Sequence, residues 1–148
     1  MIITLWAAAA SDSEFCFELH KAAMGGYVTT VWGWDEQVQR EFHARAFDPG
    51  SWQVISADEA DAGMIDVDYR PGEIYLSRIE LLPGYQGRGI GTGLVRELID
   101  EACRRGQELA LDVLAVNHRA RALYQRLGLR EVGRHGEGGI KIAMRSGN

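Results

Sequence analysis

Gln86-Gly87-Arg88-Gly89-Ile90-Gly91 places three glycines within six residues. The stretch lies between an apolar strand pattern from Glu73 to Leu82 and an amphipathic helix pattern from about Thr92 to Arg105. A glycine-rich turn that opens a helix leaves several backbone N–H groups without intrahelical acceptors. Those donors stand at the positive end of the helix dipole, so the turn is built to hold an anion, a phosphate above all. Gly89 and Gly91 carry no Cβ to keep that anion away from the backbone. The bland alternative is an ordinary tight turn. Two common phosphate motifs fail on spacing. The nucleotide-hydrolase P-loop needs a Gly-Lys-Ser/Thr end, and the chain's only lysines are Lys21 and Lys141. The dinucleotide fingerprint Gly-x-Gly-x-x-Gly meets Thr92 or Leu94 where its last glycine belongs.

Two carboxylates interrupt apolar strands. Glu80 breaks Ile79-Glu80-Leu81-Leu82, and Asp112 breaks the run from Leu109 to Ala115. A carboxylate desolvated at such a place is expected to have a raised pKa and can relay a proton through water. The competing reading of Glu80 is a salt bridge, with Arg78 as the near partner.

The Gln-x-x-Gly-x-Gly spacing read from Gln86 resembles the acyl-CoA pyrophosphate loop of the GNAT superfamily of N-acetyltransferases. A second segment resembles that family independently. Asn117-His118-Arg119-Ala120-Arg121-Ala122-Leu123-Tyr124-Gln125-Arg126-Leu127-Gly128-Leu129 follows its Asn-x-x-Ala-x-x-Leu-Tyr-x-x-x-Gly-Phe pattern. It departs only at Leu129, where phenylalanine is usual. The resemblance is sharp from Ile79 to Leu129 and extends from about Met1 to Arg145.

The resemblance implies a single N-acetyltransferase domain over residues 1–148 that uses acetyl-CoA as co-substrate and no metal. It implies cofactor contacts at Leu81, Leu82, Gln86, Gly87, Arg88, Gly89, Ile90, Gly91, Thr92, Asn117 and Tyr124. In the family the strand before the loop splays from its neighbour, here the Leu109 to Ala115 strand, and the pantetheine arm fills the gap. Backbone groups of Leu81 and Leu82 would then bond its amides, as an open strand edge allows. Acetyl transfer to an amine requires the amine to lose its charge, the carbonyl to be polarised and the departing thiolate to be stabilised. The resemblance puts the Tyr124 hydroxyl near the sulfur for the last role; periodicity alone would make Tyr124 a core aromatic. Glu80 is the first candidate for the base and Asp112 the second, the latter matching an acidic position in the branch that resembles ribosomal-protein N-terminal acetyltransferases. Neutralising a lysine-like amine at pH 7 costs ~4–5 kcal/mol, an α-amine ~1 kcal/mol, so a weak base favours low-pKa acceptors.

The segment between the first two helices borders the acetyl end in the family. Trp32, Trp34 and Asp35 there offer cation–π and charge contacts to an amine, or else a tryptophan pair that pins a loop. The acceptor is a small amine metabolite or a protein N-terminus. An acyl-CoA-binding module without catalysis is the alternative from another class, and the presence of Tyr124, Glu80 and Asp112 argues against it. No thiol has a histidine placed to activate it, so transfer is expected to be direct, in a ternary complex. His20, His43, His118 and His135 show no metal spacing and receive no role.

The elements that must position these residues follow from periodicity. Met1 to Ala8 reads as a strand. Ser11 opens a helix with a capping box to Glu14, whose apolar face holds Phe15, Cys16, Leu19, Ala22 and Ala23 until Gly25-Gly26 stops it. Tyr27 to Trp34 is neither clean helix nor clean strand. Asp35 caps a second helix with Val38 and Phe42 inward. Ser51 to Ala57 and Gly63 to Tyr69 pair across the turn Asp58-Glu59-Ala60-Asp61, and the Glu73 strand follows. Leu94, Val95, Leu98, Ile99, Ala102 and Cys103 form one helix face, stopped at Gly106. A strand from Leu109, a helix capped by Asn117 and ended at Gly128, and two strands (Glu131 to His135, Ile140 to Arg145) complete the chain. The fold class is mixed α/β, a mostly antiparallel central sheet flanked by helices in the order β-α-α-β-β-β-α-β-α-β-β.

Composition sets outer limits. With 148 residues, 46% hydrophobic and 25% charged, one domain can bury roughly 70% of its unfolded surface. The net charge of −5 argues against non-specific nucleic-acid binding, and it leaves anion binding to local amides. No apolar run approaches the ~20 residues that span a bilayer, and the first residues lack a secretory pattern, so a cytoplasmic protein without a membrane partner is expected. Cys16 and Cys103 both fall on apolar stripes and are expected to be buried and reduced. Dimerisation is common in small domains of this kind, though no face is marked for it.

Overall fold

The computed structural model describes residues 1–147. The elements are β1 (Ile3–Ala7), α1 (Ser13–Trp32), α2 (Glu36–Ala46), β2 (Gln53–Ala57), β3 (Ala60–Tyr69), β4 (Glu73–Leu81), α3 (Ile90–Arg104), β5 (Glu108–Leu114), α4 (His118–Arg126), β6 (Arg130–His135) and β7 (Lys141–Arg145). Short 3₁₀ turns precede α1 and follow β4. The expected β-α-α-β-β-β-α-β-α-β-β order is the observed one. The strands run β1-β2-β3-β4-β5-β7-β6 across a seven-stranded sheet; β4 and β5 are parallel, and β1–β2, β2–β3, β5–β7 and β6–β7 are antiparallel. No helix among the described residues is long and apolar enough to cross a membrane. The chain divides into two compact units, one of residues 1–66 with 78–88, the other of residues 67–77 with the chain from Gly89 onward.

In the first unit β1 pairs with β2 from Ile3↔Ala57 to Ala7↔Gln53. β2 and β3 are joined by a two-residue turn in which Asp58 (φ 48°) and Glu59 (φ 71°) are both left-handed. Such a turn matches the strand twist and is usually built from Asn and Gly; with neither in place it was not recognisable, and the expected four-residue turn is wrong. Asp58 is held by the chain's start: its N–H donates to the Ile2 carbonyl (2.8 Å), and its Oδ1 accepts from the Ile2 N–H (2.7 Å). A bulge lies opposite Ile55 and Ser56, where the register passes from Gly63 to Asp61. Gly63 is required for packing. A Cβ there would lie 2.2 Å from the Glu80 carbonyl oxygen, so the glycine lets the end of β4 close on β3.

Gly25-Gly26 does not stop α1, which runs on to Trp32. Each interior glycine costs ~0.5–1 kcal/mol relative to alanine. Thr29 and Thr30 donate their hydroxyls to the Gly25 and Gly26 carbonyls (2.7 and 3.0 Å), and Val28 is buried, so packing outweighs propensity. Gly33, at φ 79°, ends the helix. The cap before α1 also differs from the expected one: the Asp12 carboxylate accepts from the Ala9 N–H (2.8 Å), and Ser13 starts the helix. On α2 Val38 and Phe42 are exposed. The half-buried stripe is Gln39, His43 and Phe47, because the His43 ring packs among Phe17, Phe47 and Trp52. The core of this unit gathers Ala8, Cys16, Leu19, Trp52, Val54 and Met64.

In the second unit β4 pairs with β5 from Glu73↔Glu108 to Leu76↔Leu111. β5 pairs along its other edge with β7, from Ala110↔Arg145 to Leu114↔Lys141. Ile74, Leu76, Leu109, Leu111, Ile142 and Met144 are buried, as are Leu94, Val95, Leu98 and Ala102 of α3. Ile99 is only half-buried. Cys103 is exposed while Cys16 is buried: Cys103 follows the fully buried Ala102 and lies outside the buried stripe of α3.

Candidate active site

The glycine run behaves as a helix opening. Gly87 and Gly89 adopt φ of 75° and 84°, a region that side-chain-bearing residues reach at a cost of ~1–2 kcal/mol. Gly89 is the N-cap of α3 and no side chain caps the helix. The first intrahelical bond is Gly93 N–H to Gly89 C=O (3.0 Å), so the N–H groups of Ile90, Gly91 and Thr92 precede the ladder. That is the donor set a phosphate takes, and the residues present fit a pyrophosphate-bearing co-substrate. The need for glycine at 89 is conformational: a Cβ there would meet nothing within 4 Å.

In the first unit, Gln86 Nε2 donates to the Leu81 carbonyl (2.9 Å). The Leu82 N–H donates to Ala62 and the Leu82 carbonyl accepts from Tyr85 (both 2.9 Å). Of the backbone groups expected to meet pantetheine, the Leu81 carbonyl and both Leu82 groups therefore have partners already. By strand alternation the Leu81 N–H points to the edge away from β3. The Arg88 guanidinium lies over the Tyr85 ring at 5.5 Å.

Glu80 lies on the covered side of β4 in the same unit. Its partner is His20 of α1, not Arg78. His20 Nδ1 is 2.6 Å from Glu80 Oε2, with only 4% of the glutamate side chain exposed against 20% of the histidine's. Glu80 Oε1 is sealed and has no hydrogen-bond partner among the described residues. Arg78 instead lies over the Trp52 ring at 4.8 Å. Sequence reasoning gave His20 no role. Its signal was its place four residues after Cys16, which puts a polar ring on the buried stripe of α1, just as Glu80 puts a carboxylate on an apolar strand. Each interruption needed a partner, and they are each other's.

The His20 ring is 6.4 Å from that of Trp34. The indole of Trp34 would lie 3.9 Å from a Cβ at Gly25, and its Nε1 donates to Glu36 Oε1 (2.9 Å). Lys21 Nζ also reaches Glu36 (2.9 Å). Asp35 Oδ1 accepts from the Val38 N–H at 3.0 Å, the expected cap of α2. Trp32 is exposed.

In the second unit, Tyr124 of α4 is buried, and burial alone pushes its phenol up to about 12. Asn117 Oδ1 accepts from the Ala120 N–H (3.1 Å) and caps α4, and Gly128 takes the left-handed position beyond it (φ 95°). Asp112 meets two groups that sequence reasoning missed: the Tyr75 hydroxyl donates to Oδ2, and His135 Nε2 is 2.6 Å from Oδ1. Burial works against the charged form of Asp112, but the bonds from Tyr75 and His135 outweigh it and hold the carboxyl below its usual range. Burial, then the facing Asp112, raises the Tyr75 phenol.

The model of the acetyltransferase (GNAT) family matches residues 13–129. The N-alpha-acetyltransferase RimI of Mycobacterium tuberculosis is 46% identical over 63 residues, which are 43% of this chain and 39% of that protein. The mycothiol acetyltransferase of Beutenbergia cavernae is 35% identical over 100 residues, 64% of this chain and 33% of that protein. The chain thus matches about two fifths or less of the length of these relatives. Among solved structures, the PaiA N-acetyltransferase of Thermoplasma acidophilum in complex with coenzyme A superposes with a TM-score of 0.78 at 17% identity, covering 100% of both chains. The ribosomal-protein-S18-alanine N-acetyltransferase of Escherichia coli does so with a TM-score of 0.66 at 24% identity, over 97% of this chain and 92% of that one. At these identities the likeness is one of fold.

Proposed function

This chain belongs to the acetyltransferase (GNAT) family, and we propose that it moves an acetyl group from acetyl-CoA directly onto a primary amine, as a single catalytic domain. The observation that carries the reading is the family match over 13–129, which takes in both the glycine opening of α3 and the Asn117–Leu129 segment. Ile90, Gly91 and Thr92 would hold the pyrophosphate through backbone N–H groups, with Gly87 and Gly89 supplying the turn, Arg88 charge and Gln86 the tie to Leu81. The Leu81 N–H would bond a pantetheine amide.

Acetyl-CoA supplies a thioester whose carbonyl accepts the amine nitrogen as the C–S bond breaks. Tyr124 would donate to the departing sulfur from a hydroxyl that burial keeps protonated throughout the working pH range. Deprotonation of the amine falls to the Glu80–His20 pair rather than to Asp112. Both Asp112 oxygens are engaged, and its carboxyl is held below the usual range, which makes it the poorer base. Trp32 and Trp34 border the acceptor; Asp35 serves chiefly as the α2 cap.

A small amine metabolite is the favoured acceptor. A peptide N-terminus is the second reading, supported by the 46% identity to the N-alpha-acetyltransferase RimI. A CoA-thiol release assay over a panel of polyamines, aminoglycosides and alanine-initiated peptides decides between them. Turnover confined to peptides would reject the first reading. No turnover with any amine would reject acetyl transfer.

A further inference from the structure

We infer that His20 is the proton acceptor of the reaction and that Glu80 is the residue that positions it. This rests on the acetyl-transfer reading and assigns the base within it. A base must come within ~2.6–3.2 Å of the proton it takes. Neither Glu80 oxygen is open to an incoming amine. Oε2 is engaged by His20 at 2.6 Å, and Oε1 is sealed. Among the described residues the only sealed, unpartnered side-chain polar atoms are Glu80 Oε1 and Gln107 Oε1. No hydrogen bond to His20 Nε2 is present among the described residues, and the side chain keeps 20% of its surface exposed.

The chemistry of the pair follows from its proton count. At 2.6 Å, one proton lies between Nδ1 and Oε2. With Glu80 ionised, that proton is the imidazole's own, which fixes the Nδ1–H tautomer and leaves the Nε2 lone pair bare. A buried carboxylate with one unpartnered oxygen is costly. Oε2 can keep its bond to Nδ1–H whether or not Nε2 carries a proton. This is the carboxylate–imidazole logic of the serine hydrolases, here with an amine as proton donor. R–NH3⁺ passes a proton to His20 Nε2. The amine nitrogen then bonds to the thioester carbon and the C–S bond breaks. The second amine proton ends on the sulfur, and His20 returns its proton to solvent. The net reaction gives amide, thiol and one proton.

The thiol and the second imidazole near the pair are poorer bases than His20 Nε2. Cys16 on α1 feels Asp12, Glu80, Arg78 and Asp61. Burial pushes the Cys16 thiol up to about 11, so it stays protonated. His43 on α2, whose pKa burial lowers, has its Nε2 3.0 Å from the Ser13 hydroxyl oxygen. Lys21 and Arg40 are bound to glutamates.

The test uses two substitutions in the full chain. His20→Asn places an amide nitrogen where Nδ1 stood, so the bond to Glu80 and the fold survive while Nε2 is lost. It should lower kcat by ~10²–10⁴-fold and abolish the acid limb of the kcat/KM profile, with Tm and acetyl-CoA affinity unchanged. Glu80→Gln, whose amide oxygen can still accept from Nδ1–H, should keep the limb and lower kcat less than His20→Asn does. The inference is overturned if His20→Asn retains the wild-type rate and limb while Glu80→Gln loses both, because His20 would then merely hold a glutamate base. Imidazole ¹⁵N spectra supply a readout that does not need turnover. An Nδ1–H tautomer whose Nε2 takes up a proton on acidification is expected, and an Nε2–H tautomer overturns the inference. A wild type that binds acetyl-CoA but acetylates no amine, with the Nδ1–H tautomer in place, refutes the transfer reading and the base with it.

Discussion

Tyr124→Phe should slow the reaction without weakening the fold. The Tyr124 phenol is pushed up to about 12 by burial. A thiol of ordinary pKa ~8.5 leaves as a thiolate some 3.5 units less basic than that phenolate. Full proton transfer from Tyr124 to the sulfur would run uphill by about 5 kcal/mol, at 1.36 kcal/mol per unit. The phenol therefore keeps its proton and donates a hydrogen bond as charge develops on the sulfur. A hydrogen bond to a charged atom is worth ~1.5–3 kcal/mol, which converts to roughly 10- to 150-fold in kcat. The Phe ring keeps the packing, and the lost hydroxyl has no hydrogen bond among the described residues to account for its shift, so Tm should move by no more than about 2 °C. CoA-thiol release at saturating acetyl-CoA, run beside a thermal melt, reads both quantities. Wild-type kcat should also show no alkaline limb from this residue below about pH 10. An unchanged kcat in Tyr124→Phe would refute the reasoning, as would a loss that tracks a matching fall in Tm. A loss of ~10⁴-fold or more would mean that the proton is transferred outright.

Three further predictions concern the fold around the site. Gly26→Ala lies inside α1, and its Cβ would meet nothing within 4 Å, so it should raise stability by ~0.5–1 kcal/mol, about 2–4 °C in Tm; a lowered Tm would mean that the helix does not continue there. Gly63→Ala would put a Cβ 2.2 Å from the Glu80 carbonyl oxygen and should cost ~1–3 kcal/mol, about 3–10 °C, whereas Gly72→Ala, with open space around it, should not. The Asp112 carboxyl is held low by Tyr75 and His135 against the opposing effect of burial. Its contribution to stability is therefore present above its unfolded value of ~3.9 and lost as pH falls through the lower folded value. Asp112→Asn should then have a lower Tm than wild type at pH 7, and the gap should narrow as pH falls below ~3.9; a gap that does not change with pH would contradict the assignment.

Residues whose role is local were legible in the sequence. Asp35 and Asn117 cap their helices because a short acceptor side chain reaches the N–H three residues on, and Gly128 takes the left-handed turn that follows α4. The alternation and helical spacing gave the order of all eleven strands and helices. Local rules failed where contacts distant in sequence decide. Gly25-Gly26 reads as a stop, yet buried Val28 and the Thr29 and Thr30 hydroxyl bonds carry α1 through it. Asp58-Glu59 lacks the usual residues of a tight hairpin, and its left-handed backbone is secured by Ile2, 56 residues away. Val38 and Phe42 look inward by type, but the stripe that packs is set by His43 among three aromatic rings. In the candidate site, Glu80 and Asp112 stood out because a carboxylate on an apolar strand needs a reason. Their partners did not, because His20 is 60 residues from Glu80, and Tyr75 and His135 are 37 and 23 residues from Asp112. No periodicity reports a pair at such separations.

The central claim is that the opening of α3 binds the pyrophosphate of acetyl-CoA. Isothermal titration of the purified chain with acetyl-CoA, CoA and NADH in parallel tests it most directly. Saturable one-to-one binding of acetyl-CoA and CoA, with no heat from NADH, is the predicted result. Binding of NADH without CoA, or of none of the three, would contradict the account.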